Sequence, residues 1–186
     1  MPDNAAAQPF TAALQTQIRR GFTAAHQYVC AAVYFDSKRL PRLAQHCYGR
    51  SNEQHARALR MVRHLLDRDD EVAVGGLGEI RSTFDSPRAA VAVLLADEQT
   101  RSEQISGVAR VARDSGDYLG EQFIRWFLER QIEDVASLST LLTVLDRSEG
   151  NLFDVEEFVA RELPVPGTAD NSGNTAPKMA GTARIQ

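Results

Sequence analysis

The sequence predicts an all-α fold: a bundle of four long helices with one long crossover, followed by a short fifth helix. Three observations predict it. Apolar residues recur at helical spacing through four long stretches. Two of the joints between them are short and rich in turn residues, around Asp36-Ser37 and at Asp114-Ser115-Gly116-Asp117. The joint between the second and third stretches, Arg68 to Ser86, is long and has little periodic pattern.

Helix one is expected from about Phe10 to Phe35, with Phe10, Leu14, Ile18, Phe22, Ala25, Val29, Ala32 and Val33 facing inward. Helix two follows from about Leu40 to Asp67, with Leu40, Leu43, Cys47, Ala58, Met61, Val62 and Leu65 on its apolar stripe. The crossover contains a short extended run, Glu71 to Val74, and the helix-breaking Gly75-Gly76-Leu77-Gly78. It is long enough to return along the bundle, roughly 40 Å at about 1.5 Å of rise per helical residue. Asp85-Ser86-Pro87 reads as a capped start with proline in the first turn. Helix three then runs to about Arg113 on Val91, Leu94, Leu95, Glu98, Ile105, Val108 and Ala112. Helix four spans about Tyr118 to Asp146, with Phe123, Phe127, Val135, Leu138, Leu141, Leu142 and Leu145 inward. Gly150-Asn151 breaks the chain before a short amphipathic segment, Leu152 to Leu163.

The expected domain organisation is an N-terminal extension over 1–9, the bundle with its fifth helix over 10–163, and a tail over 164–186 rich in Pro, Gly, Ser, Thr and Asn. That tail carries too little apolar content to pack. The 186 residues suffice for one core, and 43% hydrophobic with 25% charged residues is ordinary for a soluble globular chain. A net charge of -4 argues against nucleic acid as the main partner. No basic start with an apolar run opens the chain, and no apolar stretch reaches the length of a membrane span, so a cytoplasmic protein is expected. Cys30 and Cys47 match no metal-ligand spacing and read as reduced thiols in or near a core.

Polar residues, and on the first helix a glycine, interrupt the apolar faces near the middle of every long helix. These are Gly21 on the first, Gln54 and Arg57 on the second, Glu98 on the third, and Gln131 and Asp134 on the fourth. An antiparallel bundle brings all six to one level. Arg57 is the demanding member, because an unpaired buried charge costs about 3–5 kcal/mol. Mid-bundle carboxylates are how a four-helix bundle holds two metal ions, and oxygen ligands suit iron. Yet the six positions supply two carboxylates, no histidine, and a fixed cation.

At these residues the chain resembles the prokaryotic ferritins, the actinobacterial branch above all. The resemblance spans Phe10 to Arg161. It is carried by Phe22-Thr23-Ala24-Ala25-His26-Gln27-Tyr28, Ala32-Val33-Tyr34-Phe35-Asp36, His64-Leu65-Leu66-Asp67-Arg68-Asp69, and the run from Gly120 to Asp134. It implies a ferritin-like four-helix bundle that assembles into a hollow cage, iron as cargo, and Fe(II) oxidation at a di-iron ferroxidase centre. Carried over by position, that centre is degenerate. Gly21, Gln54 and Arg57 stand where the family has glutamate, glutamate and histidine. Glu98 and Gln131 match, Asp134 replaces a glutamate, and the neighbouring tyrosine is kept as Tyr28.

Of the acids flanking a further iron position in some bacterial ferritins, Glu53 and Glu133 remain, while a third matches Arg130. His55 occupies the place of the haem-binding methionine of bacterioferritins; a surface or interface histidine is the expectation, and haem is not. The substitutions imply a cluster in which Arg57 spans Glu98 and Asp134 in place of iron, with a small gap or a water beside Gly21. This resembles the vertebrate ferritin light chains. The leading expectation is a cage subunit that stores iron or nucleates mineral without an intact centre, as a homo-oligomer or mixed with an active ferritin. A weakened or relocated metal site using Glu98, Gln131, Asp134, Glu53 and Glu133 is the enzymatic alternative. A non-iron structural or partner-binding bundle is the third.

Overall fold

The computed structural model describes residues 8–163. Five helices follow in order: α1 (Pro9–Ser37), α2 (Pro41–Leu66), α3 (Pro87–Asp114), α4 (Tyr118–Arg147) and α5 (Leu152–Glu162). Their ends fall within two residues of the sequence expectations. No strand occurs among the described residues, so the extended run in the crossover forms no sheet ladder. The expected extension shortens, because Pro9 already opens α1. The tail over 164–186 lies outside the described residues. No helix is long and apolar enough to cross a membrane.

Local chemistry sets these boundaries. Proline stands in the first turn of α1, α2 and α3, where its missing N–H costs nothing. Ser86 caps α3 by accepting from Ala89 N, and Asp117 caps α4 by accepting from Gly120 N. Between them Gly116 turns the chain at φ 71°, a left-handed conformation open to glycine. No side chain from its own cap serves α2. Glu156 on α5 does so instead, accepting from Arg42 N at 2.8 Å and Leu43 N at 2.9 Å. The fifth helix thereby locks onto the start of the second, and buries Val155 and Val159 beneath it.

In the bundle α1 lies along α2, α3 along α4, and α1 beside α3. The crossover is strapped to α1 by a polar stripe at four-residue spacing. Gln15 donates to Glu71 O, Arg19 to Gly76 O, and Gln27 to Arg81 O, each at 2.8 Å. Gly78 N and Arg81 N donate back to Thr23 Oγ1 and Gln27 Oε1. Backbone groups that no strand pairs are satisfied this way.

The core comes in two apolar clusters. One holds Tyr28, Phe35, Leu43, Cys47, Leu94 and Leu138, with α5 on top. The other holds Phe10, Ile18, Met61, Ile105, Ile124 and Phe127. On α2, α3 and α4 the residues between the clusters are the polar ones. Val33, expected inside, is 55% exposed. The buried stripe of α1 runs through Tyr28, Ala31, Ala32 and Phe35, and one further residue turns Val33 about 100° off it.

Candidate metal-site layer

The layer is built where the two apolar clusters meet. Gln54, Arg57, Glu98, Gln131 and Asp134 are all buried, at 2%, 8%, 0%, 2% and 3% exposure. The helices bring them to one level, as an antiparallel bundle requires of residues near the middle of each helix. Their pairing differs from the sequence expectation in one respect.

Arg57 does not span two carboxylates of the layer. Its Nη1 lies 2.5 Å from Asp134 Oδ2, and its Nη2 lies 3.7 Å from Glu53 Oε1. Glu98 is held by another cation, Arg101, with Nη1 2.7 Å from its Oε1. The reason is geometric. Arg101 sits one turn from Glu98 on the same helix, whereas Arg57 faces α4. A third guanidinium completes the layer: Arg50 Nη2 lies 2.5 Å from Asp134 Oδ1, and Arg50 Nη1 2.6 Å from Glu53 Oε2. Sequence reasoning missed both Arg50 and Arg101. Their signal was spacing alone: Arg50 shares a helical stripe with Cys47, Gln54, Arg57 and Met61, and Arg101 lies one turn from Glu98.

Neutral groups finish the hydrogen bonding. Tyr28 Oη donates to Glu98 Oε1 at 2.8 Å, and Gln54 Nε2 donates to the same oxygen at 3.2 Å. Gln131 Nε2 donates to Glu98 Oε2 and to the Glu98 backbone carbonyl. Every carboxylate oxygen of Glu98 and Asp134 therefore has a donor. Three guanidiniums, of Arg50, Arg57 and Arg101, balance three carboxylates, of Glu53, Glu98 and Asp134.

The electrostatics follow from that balance. Burial alone would raise the carboxyl of Asp134, but Arg50 and Arg57 overcome it and hold it below its ordinary value. Burial, then Glu98, pushes the Tyr28 phenol well up, so it remains a donor. Burial opposes the charge on Arg50, yet Tyr28, Asp134, Glu53 and Glu98 outweigh it. His46 lies beside this network, and burial followed by Arg50 pushes its imidazole down to about 4 against the pull of Asp134.

Gly21 is buried, and its position is set by packing. A Cβ built there would lie 3.0 Å from Ala58 Cβ, tighter than ordinary contact. The glycine lets α1 and α2 approach. It also lines a cavity of about 10 Å³ with Gln17, Gln54, Arg57, Arg101 and Gln131, a volume at the lower limit for one water. Arg101 separates that cavity from an open groove of about 930 Å³ between α1, the crossover and α3.

The flanking residues are outside the layer. Glu53 is partly exposed and engaged by Arg50 and Arg57. Glu133 is exposed and pairs with Arg130 at 2.9 Å. His55 is exposed and packs edge-on against Phe22. Among the described residues no group of three or more His, Cys, Asp or Glu is arranged to hold a metal ion. As a donor set for two iron ions the layer fits poorly: its carboxylates are engaged by arginines, and the fixed positive charges repel a cation.

The profile of a ferritin-like domain matches residues 11–148. The chain belongs to the ferritin family. It is 49% identical over 167 residues to ferritin BfrB of Mycobacterium tuberculosis, covering 90% of this chain and 92% of that relative. It is 48% identical over 174 residues to ferritin BfrB of Mycolicibacterium smegmatis, covering 94% of each. Among solved structures, the open pore ferritin of Archaeoglobus fulgidus superimposes with a TM-score of 0.80 at 23% identity, over 83% of this chain and 96% of that one. The actinobacterial resemblance read from the sequence is thereby established, and so is the all-α bundle with its short C-terminal helix.

Proposed function

We propose that this ferritin is a cage subunit that stores iron or nucleates its mineral without a working di-iron ferroxidase centre. The observation that supports this most is the occupation of Asp134 and Glu98. Arg50 and Arg57 hold the first, and Arg101, Tyr28, Gln54 and Gln131 hold the second. Binding Fe(II) there would require stripping buried charge-assisted bonds and leaving guanidiniums unpaired beside a divalent cation. The relatives named ferritin supply the iron-storage role and the cage. Apolar side chains exposed on α4 and α5, including Leu119, Ile132 and Phe153, fit burial against neighbouring subunits.

A subunit of this kind receives iron oxidised elsewhere, so an active ferritin is a fitting cage partner. The test is oxygen-dependent Fe(II) oxidation by the purified protein. No rapid phase at a few irons per subunit is expected; a fast phase saturating at that level overturns the reading. Glu53 and Glu133, the acids of a relocated site, each pair with arginine, so iron-soaked crystals are expected to show no anomalous peak beside them.

A further inference from the structure

One turn beyond the layer, α2 and α4 face each other across a seam crossed by long side chains. From α2 come Arg60 and His64, one turn apart. From α4 come Phe123, Trp126 and Arg130. The Arg60 guanidinium lies 4.7 Å from the centre of the Trp126 ring, and that of Arg130 lies 6.0 Å from it. The His64 ring stacks on Phe123 at 3.7 Å. Two cations are thus gathered around a single indole.

Cation–π attraction explains why guanidiniums pack on tryptophan. It does not explain the polar atoms left over. Trp126 Nε1, Arg130 Nε and His64 Nε2 are all buried and have no hydrogen-bond partner among the described residues. Buried polar atoms are paired in the great majority of cases. Two of these orphans, on Trp126 and Arg130, lie one turn apart on α4 at a single indole, and the third, on His64, lies beside the neighbouring Phe123. The exposed Glu133 engages Arg130 only through Nη1, and leaves the Nε edge inward.

We propose that this seam binds a tetrahedral oxyanion of the phosphate class. Arg60 and Arg130 supply the charge, and the indole N–H and Arg130 Nε supply directed donors. Guanidinium forks match tetrahedral oxyanions in geometry as well as charge. The site does not depend on whether the layer oxidises iron, since none of these residues belongs to it.

Trp126 is the only tryptophan of the chain, so its fluorescence reports on the site without a label. Inorganic phosphate is titrated into the full-length assembled protein at constant pH and ionic strength, with chloride as the control. A saturable change is expected with phosphate and not with chloride. Arg60→Gln and Arg130→Gln should each raise the dissociation constant about tenfold, the loss of one charge-assisted contact. A response equal in chloride, or unchanged in both variants, overturns the site. Equilibrium dialysis with labelled phosphate on the unaltered protein and on Trp126→Phe, which keeps both guanidiniums, gives an independent reading. Binding by the unaltered protein that weakens in Trp126→Phe supports the site, and equal binding in both overturns it, because the indole N–H is one of its donors. No bound phosphate at millimolar concentration refutes it, whether or not the arginine variants fold.

Discussion

Glu98 has no exposed surface, and among the described residues Arg101 is its only ion-pair partner. Arg101→Met removes that partner and keeps most of the side-chain volume. Breaking a buried pair this way costs about 3–5 kcal/mol. Three donors, Tyr28, Gln54 and Gln131, still hold the carboxylate, so the lower end applies, about 3 kcal/mol. Glu98→Gln in the same background turns the charge into an amide. The double variant should recover to within about 1 kcal/mol of the parent, because a neutral pair carries no uncompensated charge. The measurement is urea unfolding followed by Trp126 fluorescence, at one fixed protomer concentration because assembly contributes to stability. If Arg101→Met alone costs under about 1 kcal/mol, or if Glu98→Gln fails to recover it, arginine does not balance this layer and the charge argument is wrong.

Three further outcomes follow from the same geometry. Restoring Gly21→Glu, Gln54→Glu and Arg57→His together should give less than roughly a tenth of the Fe(II) oxidation rate reached when Arg50 and Arg101 are also neutralised, a gap of at least ~1.4 kcal/mol in barrier. Those two arginines would still hold Asp134 and Glu98, and a side chain at 21 meets Ala58; stopped-flow oxidation compares the two variants. His46 titrates near 4 in the fold against an ordinary 6.5, so between those values the unfolded chain binds the extra proton. Stability is therefore complete above pH 6.5 and falls by up to about 3 kcal/mol toward pH 4, and His46→Gln should flatten that slope in urea melts. Asp134, held below its ordinary range, loses its own contribution at still lower pH. Burial pushes the Cys47 thiol up to about 12, while Cys30 is partly exposed. Alkylation should modify Cys30 first and Cys47 roughly a hundredfold more slowly, as mass spectrometry of the labelled peptides will report.

The helices and the polar level were legible because apolar periodicity states which face of a helix turns inward. Arg57 was read correctly as buried on that criterion. Periodicity does not state which neighbour the face meets, and that is where Arg57 was given Glu98 as well as Asp134. Arg50 and Arg101 carried the same signal, at three- and four-residue spacing from known layer members, but long charged side chains at such spacing more often lie along a solvated face. Only the packed bundle distinguishes the two. The tight approach at Gly21 was also hidden, since a sequence shows a missing ligand there but not Ala58 lying against it.

The strap between α1 and the crossover has a consequence for where structural information resides. Most of those bonds end on main-chain atoms of the crossover, which any residue type except proline at a donor position provides. The path of the connection is therefore encoded largely outside itself, in Gln15, Arg19, Thr23 and Gln27. Substitutions across the glycine-rich segment can drift while its route stays fixed, whereas a single change on the helical stripe would unfasten a loop whose own letters never specified its course.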